Sequence, residues 1–289
     1  MMQQDWMPVR WLFGLVLLGC ACATVAQDRG DGFEQARQDG TATLRVLWVA
    51  SPGWAELDER GHPSGVTVEL MQHFARWLSD EHTLEIELVW VEESDWSRFY
   101  RRVRDADSGV FGLGNVTITE DRRSELRFSP PYARNTGVLI SSADVAEIRQ
   151  PEALSRVLAD RRAMAFTNTL HEARLRHLAE TYWPGMMMDF TRSNEEILET
   201  VAAGTHFAYI DGYHYLRAVA AGLPLRRHDA FDAADERFGI IMPLASDWSD
   251  VLAQFFARAE GGLVNSDWYR DLFERHLGQE TAELMLIEP

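Results

Sequence analysis

Residues 114–132, GNVTITEDRRSELRFSPPY, place small hydroxyl side chains close to an arginine. Thr117 and Thr119 offer hydroxyl donors and acceptors, and Arg122 follows three residues after Thr119. A guanidinium group presents a rigid fork of N–H donors that fits a carboxylate through two parallel hydrogen bonds. The segment therefore has the chemistry to bind a small anionic or zwitterionic ligand.

The same residues also have a purely structural interpretation. In it, Thr119 caps a turn, and Arg122 forms a surface ion pair with Asp121 or Glu125. The T-x-T-x-x-R spacing taken alone favours this structural interpretation, so the elements around the segment must decide between the two.

Strand and helix patterns alternate along the chain and place the segment directly after a short strand. Residues 44–50 and 84–91 are patterned as strands, residues 68–78 and 94–103 as amphipathic helices, and residues 109–113 as a short strand. Strands that alternate with helices indicate βα units and largely parallel sheets. Ligands bind at the carboxyl edge of such sheets, and the segment after residue 113 lies at this edge.

The second half of the chain continues this alternation. The predicted strands span residues 136–141, 162–166, 186–190, 206–210 and 237–243, and the predicted helices span residues 168–178, 193–204, 213–222, 247–262 and 266–277. Two of these helices begin with capping-box patterns, from Thr169 to Glu172 and from Ser193 to Glu196.

The composition excludes several classes of function. The chain has 289 residues and a formal charge of −17, and it contains arginine but no lysine. This acidic balance argues against nucleic acid or anionic lipid as the main partner. Both cysteines precede residue 23, so the body of the chain has no disulfide, thiol nucleophile or cysteine metal site. Since it also lacks nucleotide-binding and nucleophile-elbow motifs, we expect no cofactor and no metal.

The N-terminus has the organisation of a secretory signal peptide. A basic residue precedes the short apolar run 11–18, and small residues follow. Cleavage after Ala26, with Thr24 at the −3 position, fits this pattern. The stretch LLGC also resembles a lipobox ending at Cys20, which we rank second. We therefore expect a periplasmic protein, with a lipid anchor at Cys20 as the second choice.

The order of these pieces resembles the family 3 extracellular solute-binding proteins, which bind polar amino acids for ABC transporters. Residues 115–132 are similar to the family's MTIT-x-x-R segment followed by FS-x-PY, with the same internal spacing. Residues 236–278 resemble its return strand and two final helices. The resemblance covers about residues 44–278 and implies an α/β fold of the two-lobed, type II periplasmic-binding-protein kind. Mainly parallel central sheets and a hinged cleft belong to that fold.

The resemblance implies ligand contacts from the first lobe. Asn115 and Thr117 would hydrogen-bond the ligand, and Arg122 would hold its α-carboxylate. Trp54 stands where the family commonly has an aromatic residue that packs on the ligand, although core packing of Trp54 is an equal alternative.

The resemblance also implies contacts from the second lobe. Asn168 and Thr169 stand at a helix N-terminus, where free N–H groups attract an anion. Asp211 is near the acidic position that holds the ligand ammonium. The family's usual acidic position falls one residue later, and Asn168 replaces its glycine. Carboxylate recognition is therefore the better supported, and the ligand need not be a standard amino acid.

The resemblance implies a division of the chain into segments: 1–26 signal peptide; 27–41 flexible leader; 42–137 plus 238–289 lobe one; and 138–237 lobe two. The expected partners are a small amino acid-like ligand and a membrane permease or sensor, and we expect a monomer.

An enzyme on the same scaffold is the alternative. Some relatives of the family resemble cyclohexadienyl dehydratases, and such a lyase needs a carboxylic acid in the cleft as general acid. Glu172 or Asp211 would serve, but the sequence shows neither of them to be desolvated. We therefore favour a binding protein that makes and breaks no bond.

Expression in a Gram-negative host tests the predicted export. We expect soluble periplasmic protein that has lost about 26 residues, because the apolar run and the small residues specify cleavage there. Mass spectrometry of the purified protein measures the N-terminus. An intact N-terminus would contradict the prediction, and a lipid on Cys20 would establish the second choice.

Overall fold

The computed structural model describes residues 28–258 and 261–287. The predicted signal peptide, with Cys20 and the cleavage site after Ala26, lies outside the described residues. Among the residues described, no helix combines the length and apolar character needed to cross a membrane.

The strands of the described chain are β1 Thr41–Trp48, β2 Glu56–Leu57, β3 Pro63–Ser64, β4 Glu85–Glu92, β5 Val110–Thr117, β6 Leu126–Phe128, β7 Ala133–Ser142, β8 Arg162–Phe166, β9 Met188–Thr191, β10 His206–Asp211, β11 Leu225–Arg227 and β12 Ala233–Pro243.

The α-helices are α1 Phe33–Asp39, α2 Val66–His82, α3 Trp96–Arg104, α4 Glu120–Arg123, α5 Leu154–Val157, α6 Leu170–Tyr182, α7 Asn194–Ala202, α8 Gly212–Ala220, α9 Ser249–Ala257, α10 Asp267–Leu277 and α11 Gln279–Met285. Short 3-10 turns span Pro151–Ala153, Asp229–Phe231 and Leu263–Asn265.

One long sheet runs through the molecule in the order β4-β1-β5-β12-β7-β10-β8-β9. At one end β1 is parallel to β4 and β5, and at the other end β8 is parallel to β9 and β10. Between these parallel groups, β12 and β7 pair with each other and with their outer neighbours in antiparallel fashion. Two α/β lobes therefore meet at the β7–β12 pair.

The apolar cores divide at the same pair. The core of lobe one combines residues before 134 with residues after 237, including Trp48, Phe111 and Phe255. The two core clusters of lobe two draw only on residues 138–231. Tyr213 is the exception: it belongs to helix α8 of lobe two, but it packs in the core of lobe one and is only 2% exposed.

The β7–β12 register explains how the chain crosses twice between the lobes. Ala233 lies opposite Gly137, and Phe238 lies opposite Ala133. The lobe boundaries that we predicted, 137/138 and 237/238, fall within these two strands, and they stay a prediction. From Phe238 onward the chain returns to lobe one, because β12 continues there alongside β5.

The predicted flexible leader differs from the structure from residue 28 onward. Residues 33–39 form helix α1, and Ala36 is buried against the core of lobe one. The Asp247 carboxylate accepts hydrogen bonds from the backbone N–H groups of Phe33 (2.9 Å) and Glu34 (3.1 Å). The polar, glycine-rich composition did not predict this helix, because the carboxylate that caps its N-terminus belongs to a residue more than 200 positions away.

Replacing Asp247 tests whether its carboxylate stabilises helix α1. Asp247→Ala removes the acceptor for two helix N-terminal N–H groups, so we expect the free energy of unfolding to fall by about 1 kcal/mol. Chemical denaturation measures the change. Asp271→Ala, which removes an exposed carboxylate on α10, is the control. Equal effects of the two substitutions would contradict the capping role.

Candidate functional site

A cavity of about 590 Å³ lies between the lobes, at the carboxyl ends of strands from both of them. Lobe one lines it with residues 49–52, which follow β1, with residues after β4, and with the end of β5. Lobe two lines it with the N-terminal turns of α6, α7 and α8.

Arg122 lies on the lobe-one wall of this cavity. Its backbone N–H donates to the Thr119 hydroxyl (3.2 Å), which caps the short helix α4, and its Nη1 donates to the Thr117 carbonyl (2.9 Å). The guanidinium lies 5.3 Å from the ring centre of Trp96 and 5.8 Å from that of Tyr100, within the range of cation–π attraction. The turn thus forms as the structural interpretation requires, but the guanidinium faces the cleft.

The Arg122 side chain has no acidic partner within ion-pair distance among the residues described. The ion pair with Asp121 or Glu125 that the structural interpretation requires is not formed there. Burial lowers the pKa of the Arg122 guanidinium from its ordinary value, although nearby Asp211 acts in the opposite direction. Arg122 is therefore a partly desolvated cation whose outer N–H donors face the cleft.

Asn115 joins the lobes rather than facing the cavity as a free group. Its backbone has a positive φ of 49°, which asparagine tolerates better than most residues. Its Nδ2 donates to the Tyr213 hydroxyl (3.2 Å), and its Oδ1 accepts from the Tyr132 hydroxyl (2.9 Å). Thr117 is buried on the cavity wall, and its carbonyl accepts from Arg122.

Trp54 lies in the apolar core, which was the alternative to a position against the ligand. It is 1% exposed and lies outside the cavity lining. The tight loop in which Ser51 N–H donates to the Ala55 carbonyl (2.8 Å) turns the indole inward, against Tyr213 and Phe273. Trp96, which the helical pattern at residues 94–103 placed on a packed stripe, is the tryptophan that lines the cavity.

The N-terminus of α6 differs from the predicted capping box. The Thr169 hydroxyl donates to the Phe166 carbonyl (2.7 Å) and does not cap the helix. The Glu172 carboxylate accepts from the Asn168 backbone N–H (2.7 Å), so an internal anion already lies beside this helix start. Asn168 itself lies outside the cavity lining and donates to the Ser97 hydroxyl of lobe one (3.0 Å), whereas Thr169 lines the cavity.

Asp211 lies at the end of β10, on the lobe-two wall of the cavity, and belongs to a closed ring of five polar residues. Its Oδ1 accepts from Asn135 Nδ2 (2.7 Å) and lies 3.2 Å from His171 Nε2. His171 Nδ1 contacts Arg174 Nη1 (3.0 Å), and Arg174 pairs with Glu236. Asn135 Nδ2 closes the ring on Glu236 (2.8 Å).

The chemistry of this ring fixes the proton on His171. Arginine only donates, so His171 Nδ1 accepts from Arg174, and the proton of the neutral imidazole is on Nε2, facing Asp211. Burial acts to raise the pKa of the Asp211 carboxyl, and the hydrogen bonds that it accepts from His171 and Asn135 act to lower it. With two carboxylates and one guanidinium, the ring holds one net negative charge beside the cleft.

Polar contacts across the cleft hold the lobes together. The Tyr213 hydroxyl lies 2.9 Å from Ser51 Oγ. Arg192 of lobe two pairs with Asp95 of lobe one (2.8 Å). Arg217 Nη1 donates to the Pro52 carbonyl (3.2 Å). Each contact joins residues that are far apart in sequence.

Sequence reasoning missed Trp96, His171, Tyr213 and Arg192 as residues of the site. A signal existed for His171 and Tyr213, because both lie within two residues of predicted site positions at helix starts. No local pattern distinguished Trp96 or Arg192, whose roles depend on contacts between the lobes.

Comparison with known proteins agrees with this architecture. Residues 44–279 match the model of the bacterial extracellular solute-binding proteins, family 3. A comparison with curated proteins gives no match. The cysteine-binding protein from Campylobacter jejuni is 15% identical with a TM-score of 0.66, and the match covers 89% of this chain and 98% of that chain.

Two further solved structures have similar scores. The arginine-, lysine-, histidine-binding protein ArtJ from Geobacillus stearothermophilus is 17% identical with a TM-score of 0.62, covering 82% of this chain and 95% of that chain. The GluR0 ligand-binding core from Nostoc punctiforme, in complex with L-glutamate, is 17% identical with a TM-score of 0.62, covering 81% and 99%. These likenesses confirm the predicted two-lobed α/β fold.

Removing the Tyr213 hydroxyl tests the contact between the lobes. Tyr213→Phe leaves Ser51 and Asn115 without this partner, so we expect about 1 kcal/mol less stability and a larger radius of gyration. Denaturation and small-angle scattering measure the two effects. Tyr215→Phe, on the same helix, is the matched control. An unchanged radius in Tyr213→Phe would show that this hydroxyl does not hold the lobes closed.

Proposed function

Because the chain belongs to the bacterial extracellular solute-binding proteins of family 3, we propose that it captures a small carboxylate-bearing ligand, an amino acid or a relative, between its two lobes. It presents this ligand to an ABC transporter or a sensor in the membrane. Export by the N-terminal signal peptide places it in the periplasm, and a lipid anchor at Cys20 is the second choice.

The observation that carries this proposal is Arg122. Its guanidinium is partly withdrawn from water on the cavity wall, and no carboxylate pairs with it within the described part of the chain. A desolvated cation without a partner is unfavourable, and a bidentate carboxylate is the group that matches its geometry. The guanidinium also lies over the stacked rings of Trp96 and Tyr100, which attract it through cation–π interaction.

Asp211 supplies the opposite charge. Both of its close partners on Oδ1, Asn135 and His171, are donors that carry no charge in the hydrogen-bonding arrangement described above. The negative charge of the Asp211 carboxylate is therefore retained beside the cleft, close enough to Arg122 to act on its pKa. A cation and an anion on opposite walls suit a zwitterion, whose carboxylate and ammonium then contact different lobes.

Contact with both lobes gives the ligand a means to favour the closed form. A ligand shifts a conformational equilibrium only through different affinities for the two states. Arg122 belongs to lobe one and Asp211 to lobe two, so a ligand that bridges them binds the closed state more tightly. The paired strands β7 and β12 are the two connections about which we propose that the lobes, residues 42–137 plus 238–289 and residues 138–237, open.

An enzyme of the cyclohexadienyl dehydratase kind is less well supported. Such a lyase needs a carboxylic acid that is protonated when substrate binds. The Asp211 carboxyl group accepts hydrogen bonds from Asn135 and His171, and this arrangement favours its ionised form. Glu172 pairs with Arg176 (2.6 Å) and lies outside the cavity lining. Neither carboxyl group suits a general acid, so we assign the protein to binding and not to catalysis.

Substitution of Arg122 tests the proposal. Breaking a buried, hydrogen-bonded charge pair costs roughly 2–5 kcal/mol, so Arg122→Ala should weaken binding some tens to thousands-fold. Arg122→Lys should recover only part of the loss, because an ammonium cannot form the two-pronged contact. The ligand is the amino acid that gives the largest thermal shift in a screen, and calorimetry measures its Kd.

Arg123→Ala provides the matched control for this experiment. Arg123 is the exposed neighbour of Arg122, near Glu120 and over the ring of Phe128, and its loss should leave the Kd unchanged. Wild-type affinity in Arg122→Ala would reject carboxylate recognition by this residue.

A further inference from the structure

The cavity extends beyond Asp211 into a recess between helices α7 and α8 of lobe two. Leu198 of α7 lines one side of this recess, and Ala218 of α8 lines the other, with Ala221 and Leu223 beyond it. At a rise of 1.5 Å per residue, Ala218 is about 9 Å along the helix axis from Gly212, which follows Asp211. A ligand held at Asp211 therefore has room for an extended group along α8.

The walls of the recess are mainly apolar. Leu198, Leu223 and Phe166 are half-buried, and each packs against the apolar core cluster of lobe two that includes Ile197 and Ala218. The same three side chains line the cavity. Their exposed surfaces are thus available to an apolar group, and removing such a group from water is favourable.

The polar side chains near the recess already have partners. Arg192 pairs with Asp95, and Arg217 donates to the Pro52 carbonyl. His214 Nε2 contacts Asn194 Nδ2 (3.0 Å), and burial lowers the pKa of His214 to about 4, so it is neutral at pH 7. A charged group deep in the recess, away from Glu195 at the mouth of the cavity, would lose water without gaining an ion-pair partner.

We infer that the ligand is an α-amino carboxylate with an extended, uncharged, apolar side chain, and that this side chain lies in the recess between α7 and α8. The inference rests on the proposed function, because Arg122 and Asp211 hold the α-carboxylate and ammonium. The cavity volume of about 590 Å³ agrees with a ligand larger than the smallest amino acids, since pockets of roughly 300–1,000 Å³ bury drug-sized ligands.

Glu195 is the residue that could favour a different ligand. It is exposed in the first turn of α7 and lines the mouth of the cavity. A long cationic side chain would pair with it, but in water such a pair contributes little. A comparison of an apolar with a cationic side chain of the same length separates the two cases.

Calorimetry with a series of unbranched amino acids tests the inference. The probes are L-alanine, L-norvaline, L-norleucine and L-2-aminoheptanoate, with L-lysine as the cationic ligand that matches the last in side-chain length. We expect the Kd to fall about fourfold for each added methylene, the factor that follows from burial of one such group. L-Lysine should bind at least tenfold more weakly than L-2-aminoheptanoate.

Two variants locate the side chain. Leu198→Asn should lower the ratio of L-2-aminoheptanoate to L-alanine affinity by tenfold or more, because a polar group then faces the apolar side chain. Val219→Asn is the matched control, since Val219 lies on α8 with an exposed side chain outside the cavity lining. It should leave this ratio as it is in the wild type.

The outcomes separate the inference from the proposed function. Three outcomes would overturn the inference about the recess but not Arg122-dependent binding. They are equal affinity across the series, tighter binding of L-lysine, and an unchanged affinity ratio in Leu198→Asn. Absence of binding by every amino acid in the series would overturn the inference alone, whereas binding that Arg122→Ala leaves unchanged would overturn both.

Discussion

A guanidinium withdrawn from water needs an anion, and within the described residues Arg122 has none. The surrounding structure holds it in that condition: the Thr117 carbonyl accepts from one N–H, and the guanidinium lies over the stacked rings of Trp96 and Tyr100. These contacts orient the group without neutralising it. An anionic molecule from outside can therefore gain the free energy of pairing with this guanidinium, and the cleft is arranged around the unpaired charge.

The opposite wall of the cleft is built on the same strands that join the lobes. Asn135 on β7 and Glu236 on β12 belong to the polar ring that orients Asp211. His171 and Arg174 connect this ring to α6. The Asp211 carboxylate, which lines the cavity, is therefore connected by hydrogen bonds to the crossover strands, so a change in the angle between the lobes would also change its surroundings.

Local sequence signals predicted the parts of the molecule that depend on local contacts. Alternation of strands and helices predicted the α/β fold, and the family resemblance of residues 115–132 predicted one wall of the cleft. Sequence patterns left Trp54 open between ligand and core and did not predict helix α1, because both environments are non-local: the indole packs against Phe273, and Asp247 caps the helix. The contacts between Arg192 and Asp95 and between Asn168 and Ser97 also join residues far apart in sequence, so local patterns did not predict them.

The burial of Tyr213 in the core of lobe one has a consequence for how such a protein diversifies. Closure depends on this ring and on the hydroxyl and amide groups of Ser51 and Asn115, whereas the recess depends on Leu198, Leu223 and their neighbours. The two sets share α8 but no side chain. If the recess holds the ligand side chain as we infer, substitutions there alter the choice of ligand and leave the contacts that join the lobes unchanged, so that specificity and mechanics evolve as separate traits.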